Sequence, residues 1–228
     1  SIPIGLITAL GTVMLPRMSN LESLNEKNKQ TELIKTSFVF VTLIAFSTAM
    51  GLVATGSMLA PVFFGEEFYG CGELIVLLSI TIPFVAWANV VRTQFLIPTK
   101  NDKVYLLSTT VGAFLNLIFN SIFIPRFGAN GAVYGSIIAE ASVFLTQFIF
   151  TFRQLPYGIL FKNSFPYIIC SFIMLGSIKA VQSIVPSNIV GLFVLIAFGV
   201  IIFGVSVVVY SFKGKDSVSV FIRKIIRK

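Results

Sequence analysis

Long apolar runs separated by short polar stretches follow one another along most of the chain. Six of the runs are predicted to be membrane-crossing helices, and they cover residues 38–64, 74–98, 104–124, 132–152, 166–184 and 189–211. Their lengths lie within or near the roughly 17–25 residues that a helix needs to cross a hydrocarbon core of about 30 Å. Helix is the expected state because lipid offers the backbone no hydrogen-bond partners. The pattern predicts an all-α integral membrane protein, folded as a polytopic helical bundle.

The runs and the stretches between them divide the chain into five predicted segments. The first apolar stretch is too short to cross a membrane, which predicts the end of a helix whose first part is missing. The polar stretch after it is expected to form a short surface helix, and Ser217–Lys228 a basic amphipathic helix on the inner leaflet. The segments are the end of a truncated transmembrane helix (1–15), a cytoplasmic amphipathic linker (16–37), the main transmembrane helices (38–164), two additional transmembrane helices (165–211) and a basic cytoplasmic tail (212–228).

Charge is scarce and unevenly distributed. The 228 residues are 56% hydrophobic and only 11% charged, whereas about a quarter of a soluble domain is charged. Lys and Arg number 4, 0, 2, 1, 2, 0 and 6 in the successive polar stretches from residue 16 to the C-terminus. This alternation follows the positive-inside rule and predicts a multi-pass membrane protein with a cytoplasmic C-terminus. The net charge of +8 then indicates contact with anionic membrane lipids and not with nucleic acid.

Polar side chains recur on one face of three consecutive spans. Among them, Arg92 and Glu140 are ionisable, and such groups inside a membrane usually face a protein interior or a water-filled path. Glu140 has no route to the surface because its side chain is short and lies about ten residues from either end of its span. The three sets predict a shared hydrophilic cavity, although the same groups could instead only bond helices to each other. They are Thr81, Asn89 and Arg92; Ser108, Gly112, Asn116 and Asn120; and Ser136, Glu140 and Gln147.

Small residues at four-residue spacing predict where helices pack closely. The pattern Gly131-xxx-Gly135-xxx-Ala139 begins the fourth complete span, and Gly56-xxx-Ala60 lies near the end of the first. Such patterns let two backbones approach each other in a membrane. They describe packing and carry no information about a substrate.

Four segments resemble one protein family. TALGTVMLPRMSNL (8–21), APVFFGEEF (60–68), RTQFLIPTKNDKVY (92–105) and NLIFNSIFIPRFGANGAVYGSIIAE (116–140) resemble stretches of bacterial polysaccharide flippases. In order and spacing they look like the C-terminal half of a Wzx-type O-antigen or capsule repeat-unit transporter. That family belongs to the multidrug/oligosaccharidyl-lipid/polysaccharide exporter superfamily.

The resemblance implies a fold and a function. The fold would be the C-terminal lobe of a two-lobe alternating-access transporter, from the end of an eighth helix through a fourteenth. The function would be translocation of a polyprenyl-diphosphate-linked oligosaccharide across the bacterial cytoplasmic (inner) membrane, with membrane lipids and other polysaccharide-assembly proteins as further partners. A guanidinium offers paired donors to a diphosphate, so Arg92 is the expected phosphate contact. Candidate contacts to sugar hydroxyls or phosphates are Asn89, Asn116, Asn120 and Gln147, and Glu140 is the candidate for ion coupling or for balancing the charge of Arg92.

Two other readings compete with this one. A drug/cation antiporter or a peptidoglycan-precursor flippase of the same superfamily would share most of these features. A membrane-bound polysaccharide polymerase or acyltransferase is less favoured, because acid–base chemistry needs groups that titrate near neutrality and the sequence contains no His. The expectation is therefore a protein that is not an enzyme. With two Cys and no His, neither a metal site nor a cofactor is expected.

Overall fold

The computed structural model describes residues 2–214 and 216–226. These residues form nine α-helices joined by short turns, with a π-helical segment over Arg92–Leu96 and a single 3-10 turn over Glu66–Phe68. The α-helices are α1 (Ile2–Ser23), α2 (Lys27–Phe64), α3 (Cys71–Ser79), α4 (Thr81–Val91), α5 (Asp102–Phe127), α6 (Ala129–Thr151), α7 (Tyr157–Gln182), α8 (Ile189–Lys213) and α9 (Ser217–Ile226).

Six helical stretches of the described residues are long and apolar enough to cross a membrane. They are α2, the stretch from Cys71 to Leu96 that contains α3 and α4, α5, α6, α7 and α8. Each contains most of one predicted apolar run, so the prediction of an all-α integral membrane protein is confirmed. Two helices begin about ten residues earlier than predicted: α2 at Lys27 and α7 at Tyr157. At the start of α2, helical hydrogen bonding continues outside the apolar run because Lys, Glu and Gln are good helix formers in water.

Residues 16–37 do not form the separate surface helix that the sequence predicts. They are divided between the end of α1 and the first turns of α2, and the chain reverses at Asn25, which has φ 56°. Asn tolerates this left-handed backbone better than most residues. Salt bridges from Lys29 to Glu26 (2.8 Å) and from Lys35 to Glu32 (2.7 Å) accompany the polar start of α2. Instead of the predicted separate amphipathic helix, residues 16–37 therefore form the end of α1 and the start of α2.

The stretch from Cys71 to Leu96 is interrupted at Ile80, between α3 and α4. Pro83 causes the interruption, since it has no N–H to donate to the carbonyl of Ser79 and its ring crowds that carbonyl. The hydroxyl of Thr81, part of the predicted polar stripe, donates to the Leu78 carbonyl at 2.7 Å. This bond satisfies a backbone group near the break, so Thr81 serves the helix itself and not a cavity.

An aromatic core holds α4 between its neighbours. Trp87 stacks on Phe38 of α2 with 5.9 Å between ring centroids, and it contacts Phe144 of α6 and Phe161 of α7 at 5.2 and 5.4 Å. The indole N–H of Trp87 donates to the hydroxyl of Thr42 at 2.9 Å, which satisfies its single donor. These contacts position the polar residues that follow Trp87 on α4 against α6.

Helices α5 and α6 form a tightly packed antiparallel pair. A Cβ added to Gly131 would overlap the backbone of Phe123, and one added to Gly135 would overlap the Asn120 amide. The close approach predicted from Gly131-xxx-Gly135 is confirmed. The second small-residue pattern is also at a packing contact, because a Cβ on Gly56 would lie 2.9 Å from the Val76 side chain of α3.

The C-terminal helix α9 docks onto the bundle through a buried carboxylate. Asp216, 8% exposed, accepts hydrogen bonds from the Tyr167 hydroxyl at 2.7 Å and from the Ser219 backbone and hydroxyl at 3.0 and 2.7 Å. Val218 packs into an apolar cluster that includes Tyr167 and Val39. The helix expected over Ser217–Lys228 is thus present through Ile226, and Arg227 and Lys228 lie outside the described residues. Asp216 acts as its N-cap.

Replacing Asp216 with Ala is expected to release α9 from the bundle. The substitution leaves the buried Tyr167 hydroxyl and the Ser219 backbone N–H without their acceptor, at a cost of about 1–3 kcal/mol. Amide hydrogen exchange should then become faster in α9 while exchange in α4 and α6 stays the same. The exposed Lys224→Ala on the same helix is the control, and unchanged protection of α9 in Asp216→Ala would show that the carboxylate does not hold it.

Candidate functional site

A polar cavity of about 300 Å³ lies between α1, α4, α5 and α6. Its walls contain four of the six residues that the sequence analysis selects as site residues. The lining residues are Thr8, Val85, Ala88, Asn89, Arg92, Tyr105, Thr109, Glu140, Val143 and Gln147. The predicted shared cavity therefore exists for Asn89, Arg92, Glu140 and Gln147.

Arg92 supplies the positive charge of this cavity. It follows the last residue of α4 and begins the π-helical segment, a type of irregularity that occurs often at functional sites. Its guanidinium carbon lies 5.7 Å from the centroid of the Tyr105 ring, within the range of a cation–π interaction. Within the described ranges no carboxylate comes within 4.0 Å of it, so Glu140 shares the cavity without forming a salt bridge. The planar donors of the guanidinium are therefore not engaged by an acidic side chain.

Two buried amides place unpaired oxygens at the cavity. Asn89 is 5% exposed and Gln147 is 1% exposed. The Gln147 nitrogen donates to the Ser108 hydroxyl at 3.3 Å, whereas the Oε1 of Gln147 and the Oδ1 of Asn89 have no hydrogen-bond partner among the described residues. A buried acceptor without a partner costs free energy, and native proteins contain few of them. Both oxygens are enclosed by protein, and the Oδ1 of Asn89 is packed against Gly11 of α1, where an added Cβ would lie 2.5 Å from it.

Glu140 places a carboxylate on the same cavity from α6. The residue is half-buried, and it lies two helical turns before Gln147 on the same face. A carboxylate, two amide oxygens and a guanidinium around one cavity can bind a ligand that carries both anionic oxygens and hydroxyl groups. The Ser136 hydroxyl, one turn before Glu140, donates to its own helix at the Ala132 carbonyl, 2.9 Å away.

Asn116 and Asn120 do not belong to this cavity, and the prediction that they share it is wrong. They line a separate open groove along α5, where the Asn120 amide nitrogen donates to the Asn116 carbonyl oxygen at 2.9 Å. Position along the helix explains the difference, because Asn120 lies twelve residues, or about 18 Å, beyond Ser108 on α5. Both residues face α6, but Ser108 meets the cavity residue Gln147, whereas Asn120 meets Gly135 near the far end of the pair.

Three polar cavity residues were not predicted from the sequence: Thr8, Tyr105 and Thr109. Thr8 lies on α1, whose apolar stretch (1–15) is too short in the sequence to be predicted as a membrane-crossing helix. Tyr105 and Thr109 share one face of α5 at four-residue spacing, a signal that polarity alone could not separate from ordinary helix surface. Proximity of Tyr105 to Arg92 depends on the turn that joins the π-helical segment to α5.

The fold and the cavity define a class: a multi-pass, all-helical membrane protein with a polar cavity between its helices that contains an arginine and a glutamate. The chain belongs to the family described as "Lipid II flippase MurJ", whose model matches residues 1–205. A solved structure titled "Lipid II flippase MurJ, inward closed conformation" covers 99% of the chain with a TM-score of 0.75 and 19% sequence identity, which shows the same fold.

Two relatives whose names state a function are similar to the chain. One, from Shigella dysenteriae, is 23% identical over 141 residues, and its name assigns it provisionally to O-antigen transport. The other, from Haloferax volcanii, is 22% identical over 207 residues and is named a probable low-salt glycan biosynthesis flippase, Agl15. The matches cover 62% and 89% of this chain. The chain spans 35% and 43% of the length of these relatives and 45% of the solved structure.

Proposed function

We propose that this chain is part of a flippase that translocates a polyprenyl-diphosphate-linked oligosaccharide repeat unit across the cytoplasmic membrane for surface polysaccharide biosynthesis. The observation that carries the proposal is the cavity that Arg92 shares with the amide side chains of Asn89 and Gln147. A guanidinium binds diphosphate oxygens through paired donors, and amide oxygens accept from sugar hydroxyls. Family membership and the names of two relatives favour lipid-linked cargo.

In this proposal each cavity residue has a separate task. Arg92 binds the diphosphate, Asn89 and Gln147 bind hydroxyl groups next to it, and Glu140 binds the coupling ion or offsets the charge of Arg92. The positive-inside count supports a cytoplasmic location for the polar start of α2 and for the C-terminal tail. The structure brings these two segments to the same end of the bundle, where Thr36 and Ser217 line one groove. This arrangement agrees with an even number of crossings between them.

Deletion of the gene in its host tests the proposed cargo. We expect loss of the surface polysaccharide, accumulation of the lipid-linked repeat unit on the inner leaflet and normal growth. Mass spectrometry of extracted lipids and detection of surface glycan are the measurements. Arrested growth with depleted peptidoglycan would identify a peptidoglycan-precursor flippase instead. Drug sensitivity alone, with normal polysaccharide, would identify an exporter of small molecules.

A further inference from the structure

A second polar cavity, of about 460 Å³, lies at the end of the bundle where α1 ends and α2 begins. The end of the π-helical segment and the connection between α6 and α7 complete its walls. The residues that line it are Glu22, Lys27, Gln30, Thr31, Ile34, Phe95, Thr99, Gln154 and Leu155. None of them belongs to the site described above.

The two cavities follow one another along the same pair of chain segments. Arg92 lines the first cavity and Thr99 lines the second. Likewise, Gln147 lines the first cavity and Gln154 lines the second. In each pair the second residue lies seven positions further along the chain, in the turn that follows the helical segment of the first. The second cavity therefore follows the first toward the end of the bundle where α1 ends and α2 begins, and a ligand bound at Arg92 could extend toward it.

Gln30 shows that the second cavity is built for a polar group. Its side chain is only 4% exposed, and its Nε2 has no hydrogen-bond partner among the described residues. The first turn of α2 adds further unpaired donors, its backbone N–H groups. The side chain of Glu26, at the N-cap position, makes no hydrogen bond to them. An unpaired buried amide destabilises a fold, and a ligand oxygen would remove that cost.

The charges and shapes of the lining residues indicate the class of ligand. Glu22 and Lys27 contribute one charge of each sign, and the lining contains no guanidinium to offer paired donors to a phosphate. Amides and hydroxyls provide donors and acceptors, and Phe95 provides an apolar surface. An acyl chain would leave the Gln30 amide unpaired. Alternating hydroxyls and an apolar ring face are the features of a sugar, and they match this mixture of walls.

We infer that this second cavity binds a sugar residue of the glycan, at the end of the bundle where the cargo enters. The inference rests on the proposed function, because it supplies a subsite for the same lipid-linked oligosaccharide. Gln30 is its central contact, donating from Nε2 to a sugar oxygen. Lys27 and Glu22 at the rim bind further hydroxyls.

The test is Gln30→Leu in the full-length protein reconstituted in lipid vesicles. Leu has a similar volume and removes the unpaired amide. We expect the half-saturating mole fraction of lipid-linked oligosaccharide to rise about tenfold, the loss of one well-placed hydrogen bond. We expect the maximal rate to be unchanged and the melting temperature to rise by a few degrees. Weaker substrate use in a more stable protein is a combination that a structural role for Gln30 would not produce.

Two comparisons make the result specific. Gln182→Leu, at the opposite end of α7 where Gln182 accepts from Lys179 at 3.1 Å, should leave the half-saturating value unchanged. The soluble oligosaccharide released from its lipid should compete with wild-type transport and compete about tenfold less well in Gln30→Leu. Inorganic phosphate at the same concentration should not compete with wild-type transport through this site.

The outcomes separate the two proposals. The sugar subsite is overturned if Gln30→Leu has the wild-type half-saturating mole fraction of lipid-linked oligosaccharide while an Arg92 variant is inactive. The proposed function is then left standing. Competition by phosphate that is lost in Gln30→Leu also overturns the sugar subsite, since the cavity would then be an anion site. If the wild-type protein transports no lipid-linked oligosaccharide, the proposed function is wrong and the subsite is wrong with it.

Discussion

Arg92→Ala in the full-length protein is expected to abolish surface polysaccharide while the protein remains in the membrane at its normal level. The guanidinium carries the positive charge of the first cavity and makes no salt bridge that its loss would break, so the fold should survive. Loss of a charge-assisted contact to a diphosphate should reduce transport at least a hundredfold, which corresponds to about 2.7 kcal/mol or more. Vesicle transport rates and surface glycan detection are the measurements.

Two further arginine variants sharpen this prediction. Arg92→Lys keeps the charge but loses the planar pair of donors, so transport should fall about tenfold and not vanish. Arg126→Ala removes an exposed arginine from the last turn of α5, and it should transport as well as the wild type. Normal polysaccharide in Arg92→Ala would remove Arg92 from the mechanism. Equal losses in the alanine variants of Arg92 and Arg126 would point to a general charge effect.

Gly131→Leu is expected to prevent α5 and α6 from pairing. A Cβ at this position would overlap the backbone of Phe123, and backbone atoms cannot move aside as the end of a flexible side chain can. Overpacking of this kind costs about 3 kcal/mol, and more where backbone is displaced. The purified variant should lose most of its folded fraction in a thermal unfolding assay read by size-exclusion chromatography.

Gly176 on α7 offers the matched control. A Cβ at Gly176 would meet no atom within 4 Å, so Gly176→Ala should leave the melting temperature the same or slightly higher. A stable Gly131→Leu protein with an unchanged melting temperature would show that α5 and α6 do not approach as closely as the structure indicates. Comparing the two variants thus distinguishes a loss of stability caused by close helix packing at Gly131 from one caused by replacing any glycine in a helix.

Membrane-crossing helices could be predicted from the sequence because the hydrocarbon core of a membrane imposes a simple requirement. Each run must be about 20 residues long, apolar and helical, and this requirement is local to each run. The six spans followed from it, as did the choice of Arg92 and Glu140 as residues with a reason to face the interior. Their boundaries were harder to predict, since the helix formers at the start of α2 continue the helix outside any apolar run.

Which polar residues meet at one level of the bundle could not be predicted in the same way. The polar stripe from Ser108 to Asn120 is regular in sequence and faces α6 at both ends, yet only its Ser108 end meets a cavity residue, because the two ends are about 18 Å apart along α5. Gln30 was not singled out either, because a glutamine near a helix start is ordinary in sequence and becomes unusual only when packing buries it.

By itself the sequence determined the helical, membrane-crossing class of this protein, the number of its spans and its charged intramembrane residues, since each depends on the local cost of placing a group in lipid. The tertiary structure alone decided which polar residues share a cavity and which amides are left without partners. Those properties arise from contacts between residues as distant in the chain as Thr8 and Gln147, and from the approach of α5 to α6 at Gly131. Local composition cannot encode such contacts, because they depend on how every helix is rotated about its own axis.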